Sequence, residues 1–199
     1  MSPPPNLITL KGKVSANQRA VRNRHAGLVV WLTGLSGSGK STIAIDAEKA
    51  LFERGYYVVR LDGDHLRQGL CADLGFSPED RAENIRRAGE VARLFYENGA
   101  VVLASFISPT RQMRAGVRQR LPRGAFIEVY VCASLETCMA RDPKGFYQSA
   151  REGKISAFTG VDQEYEEPVH PELILDTEAD SLEKNVEKLV SKVIQSTAL

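Results

Sequence analysis

Continuous apolar runs and stretches whose apolar positions recur every three to four residues take turns along this chain. Leu28-Val29-Val30-Trp31-Leu32, Tyr56 to Leu61, Ala100 to Phe106, Phe126 to Val131 and Leu173-Ile174-Leu175 are short and mostly apolar, as strands buried on both faces are. Between them lie helical periods. Ile43, Ala47, Ala50 and Leu51 mark one over 43–54, closed by Gly55; Ile85, Ala88, Ala92 and Phe95 mark another, running to about Asn98 and closed by Gly99. Ser77-Pro78-Glu79-Asp80 supplies the start of that second helix: a capping serine, a proline at the first helical position and an acid that closes the capping box. A basic stretch with Arg111, Arg114, Arg118 and Arg120, a short segment over Leu135 to Arg141, and a closing period (Leu182, Val186, Leu189, Val190, Val193) complete the helices. Strand and helix alternation predicts one α/β domain, with a five-stranded parallel sheet covered by helices on both faces.

Two stretches break the pattern. Residues 1–25 hold Pro3-Pro4-Pro5, Lys11, Lys13, Arg19, Arg22 and Arg24 and no acid before Asp46, and are read as a basic, partly ordered N-terminal arm preceding a domain over 26–199. Residues 141–163 mix Arg141, Lys144, Arg151 and Lys154 with glycines and aromatics, and are read as a mobile lid that closes over phosphates to exclude water. With a net charge of +1, the chain lacks the strongly basic balance of a general nucleic-acid binder. Cys71, Cys132 and Cys138 show no metal-ligand spacing and fit reduced cytoplasmic thiols, Cys132 and Cys138 as packing residues. No apolar run reaches the roughly 18 residues of a membrane span.

The chemistry begins after the first apolar run. Gly34-Leu35-Ser36-Gly37-Ser38-Gly39-Lys40-Ser41-Thr42 is a complete phosphate-loop motif between a strand and a helix. Its glycines let successive backbone N–H groups turn inward onto phosphate oxygens, and the following helix aims the positive end of its dipole at the same place. Lys40 is expected to reach the β- and γ-phosphates of a nucleoside triphosphate, and the Ser41 hydroxyl to hold Mg²⁺. The predicted fold is therefore a three-layer domain of the P-loop NTPase type. Asp62-Gly63-Asp64 ends the second strand, and in an open α/β sheet ligands gather at that end, so both carboxylates are expected beside the loop.

A guanine-specifying Asn-Lys-x-Asp element is absent, which argues against a GTPase switch. Adjacent acids closing a strand, as a motor ATPase carries, are also absent. A kinase needs a carboxylate at the acceptor hydroxyl, cations for the transferring group and a lid against hydrolysis, and each has candidates here. Another small-molecule phosphate-loop kinase stays open as an alternative at this point.

Longer motifs carry a more specific likeness. Leu61-Asp62-Gly63-Asp64-His65-Leu66-Arg67-Gln68-Gly69-Leu70, Asp73 to Arg81, Asn84-Ile85-Arg86-Arg87, Ser105-Phe106-Ile107-Ser108-Pro109, Arg141-Asp142-Pro143-Lys144-Gly145, Phe158-Thr159-Gly160 and Tyr165-Glu166 occur in order. Together they resemble the adenylylsulfate kinase (APS kinase) family. The resemblance implies transfer of the ATP γ-phosphate to the 3′-hydroxyl of adenosine 5′-phosphosulfate, giving 3′-phosphoadenylyl sulfate and ADP in sulfate assimilation. It also implies Mg²⁺, a cytoplasmic homodimer and a functional association with ATP sulfurylase. Among its residues, it gives the phosphosulfate to Arg67, Arg81 and Asn84, the acceptor adenine to Phe76 and Phe158, and further acceptor contacts to Ile107 and Ser108. Asp64 becomes the group that orients and deprotonates the 3′-hydroxyl and touches the Mg²⁺ shell, with Asp62 orienting behind it. Arg141 and Lys144 neutralise and stack near the phosphates, and Ser108 occupies the family's phosphoserine position. Cys132-Ala133-Ser134 and Met113 depart from the family pattern at positions without phosphate chemistry.

Overall fold

The structure, a computed structural model, describes residues 12–143, 145–152 and 158–199. The proline run, Lys11, Lys144 and Lys154 lie outside the described residues. In chain order the elements are α1 (Ala16–Asn23), β1 (Leu28–Thr33), α2 (Lys40–Phe52), β2 (Val58–Asp62), α3 (Gly63–Arg67), α4 (Pro78–Glu97), β3 (Val101–Ser105), α5 (Arg111–Arg118), β4 (Phe126–Cys132), α6 (Leu135–Arg141), α7 (Phe146–Arg151), β5 (Leu173–Asp176) and α8 (Leu182–Thr197).

All five strands are parallel, in the order β2-β3-β1-β4-β5. Parallel neighbours require crossovers, and the helices supply them while covering both faces. Side chains alternate across β1: Leu28, Val30 and Leu32 pack with α2 and α8 through Ile43, Ala47, Leu51, Leu189 and Val193. Val29 and Trp31 face the other way, onto Ile85, Ala88 and Ala92 of α4 and Val117 of α5. With β3 on one side of β1 and β4 on the other, the phosphate loop leaves β1 where the strand order reverses, which opens a crevice at the carboxyl ends of the strands.

Three helices go beyond the periodic reading. α1 has no buried residue and so no apolar stripe to reveal it; its signal is the capping box of Ser15 and Gln18. The arm is also tied to the domain at its end: His25 is buried, stacks on Tyr56 at 4.6 Å and accepts the Tyr57 N–H at 3.0 Å, while the Ala26 N–H donates to Thr197 O at 2.9 Å. That use of the Tyr57 N–H helps explain why β2 starts at Val58, two residues after the apolar run. The short α3 is capped by Asp62, whose Oδ1 accepts the Asp64 N–H at 3.0 Å. The third, α7, lies in the segment read as a lid; it packs Tyr147 with Phe158 and Cys138, apart from the two cores around the sheet.

Candidate active site

The phosphate loop is shaped by close approach. Gly34, Gly37 and Gly39 have φ of 151°, 78° and 100°. A Cβ on Gly34 would stand 2.3 Å from Val131 O, and one on Gly37 2.8 Å from Cys138 O, so larger residues would push the loop off β4 and α6. Ser36, Gly37, Gly39, Lys40, Ser41 and Thr42 line a cavity of about 610 Å³, and Gly34, Leu35 and Ser38 of the predicted loop do not line it. Lys40 is buried, and its Nζ donates to Gly34 O at 3.0 Å and Leu35 O at 2.6 Å, folded onto the loop that it is expected to serve.

Both predicted carboxylates reach the cavity, with different surroundings. Ser41 Oγ donates to Asp62 Oδ2 at 2.7 Å, and the other Asp62 oxygen caps α3. The carboxylate bonded to the expected Mg²⁺ hydroxyl is thus Asp62, and Asp64 stands further on, in α3. Ser41 Oγ with an Asp62 oxygen is a hard-oxygen pair of the kind Mg²⁺ accepts, since that ion takes few protein ligands and completes its shell with phosphate and water.

The β2–β3 side of the cavity gathers the predicted anion-binding residues. Arg67 donates to Leu74 O and Gly75 O at 3.1 and 2.8 Å, and its guanidinium lies 4.3 Å from the centre of the Phe76 ring. Phe76 is 52% exposed and lines the cavity, as does Phe158, which is buried edge-on against Tyr147 at 5.0 Å. Arg81, only 7% exposed, donates to Phe76 O at 2.9 Å and Thr159 Oγ1 at 3.1 Å. Burial, with the Arg67 charge adding to it, pulls its pKa below the usual guanidinium value. An arriving anion would relieve both penalties. One turn on, the Asn84 side chain is buried, with Oδ1 lacking a hydrogen-bond partner.

Ile107 and Ser108 close the cavity from the loop after β3. Ser108 has φ of 41° and a buried hydroxyl that is engaged twice: it accepts the Trp31 Nε1–H at 3.0 Å and donates to Thr33 Oγ1 at 3.0 Å. The Thr33 hydroxyl in turn donates to Ile107 O at 2.7 Å, which leaves Tyr165 O–H to donate to Thr33 at 2.9 Å. Burial raises the Tyr165 pKa to about 12, consistent with that donor role.

Arg114, read from sequence as one of several basic helix residues, is a functional neighbour that the pattern missed. It is 2% exposed and donates to Glu128 Oε1 (2.6 Å), Ser108 O (2.7 Å) and Glu166 O (2.6 Å). The available signal was Glu128, a carboxylate inside an apolar strand, which needs a buried partner. On the opposite side, beyond the phosphate loop, Arg141 donates to Thr177 Oγ1 and Thr177 O, each at 2.8 Å, and lines the cavity. Tyr147 O–H donates to Ser36 O at 3.0 Å and so fastens α7 to the loop.

A phosphate loop on the central strand of a 2-3-1-4-5 parallel sheet, sharing one cavity with carboxylates and arginines, defines a phosphate-loop phosphotransferase. The adenylylsulphate kinase family model matches residues 26–176, and the chain belongs to that family. It is 55% identical to a probable adenylyl-sulfate kinase of Halalkalibacterium halodurans, over 93% of this chain and 92% of that protein. It is 52% identical to the adenylyl-sulfate kinase of Staphylococcus carnosus, over 93% of each. The Mycobacterium tuberculosis APS kinase CysC, solved in complex with AMPPNP and APS, superposes with a TM-score of 0.79 at 45% identity, covering 83% of this chain and 96% of that one.

Proposed function

We propose that this chain is an adenylyl-sulfate kinase, which transfers the γ-phosphate of ATP to the 3′-hydroxyl of adenosine 5′-phosphosulfate and releases 3′-phosphoadenylyl sulfate and ADP. The observation that carries the reading is that the phosphate loop and the Arg67, Arg81 and Asn84 cluster share one cavity, with Asp64 on its wall between β2 and α4. A phosphate loop alone fits any nucleotide-driven protein; a second set of anion-binding groups in the same cavity fits a second phosphorylated substrate.

In this reading the loop amides and Lys40 hold the donor phosphates. Arg67, Arg81 and Asn84 orient the phosphosulfate, and the Phe76 and Phe158 rings take the acceptor base. Asp64 accepts the proton that leaves the 3′-hydroxyl as its oxygen attacks phosphorus, a contribution worth about 10²–10⁴-fold. Ser41 and Asp62 would hold Mg²⁺, with Asp64 as the further carboxylate on the same cavity wall; the ion would supply neutralisation of charge on the donor phosphate oxygens. Ser108, with both sides of its hydroxyl engaged, shapes the acceptor wall, and direct in-line transfer needs no phosphoserine. Arg141 packs against the donor nucleotide. Lys144 is assigned to the phosphates by family likeness alone.

ADP release from MgATP, measured with adenosine 5′-phosphosulfate beside AMP, gluconate and no acceptor, tests the reading. Turnover with the phosphosulfate alone is expected; hydrolysis independent of acceptor, or transfer to gluconate, would overturn it. The same proposal includes a cytoplasmic homodimer that works with ATP sulfurylase, checked by light scattering, cell fractionation and co-elution.

A further inference from the structure

The donor and acceptor halves of the cavity are joined behind its surface by one buried hydroxyl. Thr33 is the last residue of β1, directly before Gly34 at the start of the phosphate loop; it is fully buried and does not line the cavity. The β1–β3 ladder ends one step earlier, where the Phe106 N–H donates to Leu32 O at 3.1 Å. Past that rung, the chain of β1 turns into the donor loop and the chain of β3 runs on as the wall formed by Ile107 and Ser108. The Thr33 side chain spans the gap between them.

The direction of each bond at this hydroxyl is fixed. Its single hydrogen goes to Ile107 O at 2.7 Å, because a carbonyl can only accept. Ser108 Oγ–H at 3.0 Å and Tyr165 O–H at 2.9 Å therefore both donate to the Thr33 oxygen and fill its two lone pairs. The Trp31 Nε1–H, at 3.0 Å, holds the other side of the Ser108 hydroxyl. The segment so gripped contains Ser108 at φ of 41°, a left-handed conformation that a non-glycine residue keeps only where its surroundings hold it. Without the Thr33 hydroxyl, two adjacent holds on that turn, one through Ile107 O and one through Ser108 Oγ, are lost together.

We propose that Thr33 is a positioning residue for phosphoryl transfer: its hydroxyl sets how far the acceptor wall stands from the phosphate loop, and with it the approach of the acceptor oxygen to the transferring phosphorus. The proposal rests on the reading of the chain as a kinase acting on adenosine 5′-phosphosulfate. Thr33 lies off the cavity surface, and the groups assigned to bind the substrates sit elsewhere: the loop amides and Lys40 for the donor phosphates, Arg67, Arg81 and Asn84 for the phosphosulfate. In-line transfer tolerates little error, since an ångström of misplacement costs about a hundredfold in rate. Loss of this hydroxyl therefore reaches the transfer step before it reaches binding.

The test is rapid-quench transfer in a single turnover, with the dissociation constants of MgATP and adenosine 5′-phosphosulfate measured beside it by calorimetry. Thr33→Val keeps the branched shape and removes the hydroxyl; the transfer rate is expected to fall about tenfold to a hundredfold while both Kd values stay within about threefold. Thr33→Ser returns the hydroxyl and should bring the rate back to within about threefold of wild type; a serine variant as slow as the valine one would overturn the proposal. A lower Tm with an unchanged rate per folded enzyme would make the hydroxyl a brace of the fold only, and a weakened acceptor Kd with the rate kept would make it a binding determinant; either overturns the proposal. Should the valine variant not fold, Thr33→Cys decides. A thiol is longer and a weak donor, so the rate should drop about fivefold to tenfold with both Kd values kept, and a rate within about twofold of wild type overturns the proposal. No transfer to the phosphosulfate by wild type would strike the acceptor reading and this inference together; an intact rate in Thr33→Val strikes this inference alone.

Discussion

Arg81 and Arg114 are both sunk in the protein, and they are held in opposite ways. Arg114 meets a carboxylate, Glu128, and spends its remaining donors on the carbonyls of Ser108 and Glu166. Arg81 donates to Phe76 O and Thr159 Oγ1 at the wall of a cavity, with the Arg67 guanidinium as a like charge nearby. A buried ion pair whose geometry is closed is a structural device, and losing one partner strands the other. A buried cation beside a second cation on a cavity wall, its pKa pulled down by both burial and that neighbour, gains when an anion arrives. The difference separates a residue that fixes the acceptor wall from one that binds what the wall encloses.

The largest effect expected from breaking this comparison is on stability. Arg114→Ala leaves the partly buried Glu128 with only the more distant Arg118 and takes the donor from the Ser108 and Glu166 carbonyls, and should destabilise the fold by about 2–4 kcal/mol, lowering Tm by about 5–10 °C in a thermal melt. Arg81→Ala should leave Tm within about 3 °C and instead raise the acceptor KM about tenfold to a hundredfold, the scale of a lost hydrogen bond to a charged group, with the ATP KM unchanged. If Arg81→Ala melts as early as Arg114→Ala, the two arginines are alike and the distinction fails. Thr159→Val keeps the side-chain volume and removes the oxygen that orients Arg81 NH1; the acceptor KM should rise about twofold to fivefold in steady-state kinetics.

The smallest effect lies on the solvent side of α4, where charges are paired but exposed. Arg86 and then Arg87 hold the Glu83 carboxyl down at about 2, below its ordinary 4.5. A depressed carboxylate adds stability that is complete above its unfolded pKa and is lost as pH falls through the folded one. Glu83→Gln should therefore melt about 2–4 °C below wild type at pH 7, and the two curves should converge near pH 2. A gap that persists at that pH would assign the effect to packing.

Legibility from sequence tracked how local each determinant is. Ser77-Pro78 placed the start of α4 because a cap and a fixed φ act within one turn. The glycines and Lys40 announced the phosphate loop because its geometry needs those residue types at that spacing. By contrast, the Arg87 link to Asp73, bridging α4 to the preceding loop, joins residues 14 apart, and no local period encodes it. Of the basic residues in and after α5, pattern reading could not tell Arg114 from Arg118 or Arg120. Only the packing of α5 against β4 turns the first of them onto Glu128 and Ser108.

The sequence by itself determined the alternation that makes a parallel α/β domain, the phosphate loop, the two aspartates after β2 and the family to which these motifs belong. Those are properties of short stretches, fixed by side-chain period, backbone freedom and capping. The tertiary structure decided which carboxylate meets Ser41, that the Ser108 hydroxyl is engaged on both sides, and that Arg114 braces the acceptor wall while Arg81 faces the cavity. Each of these depends on which distant strand ends the fold brings together, and on the rule that a buried polar group must find a partner wherever the chain has carried it.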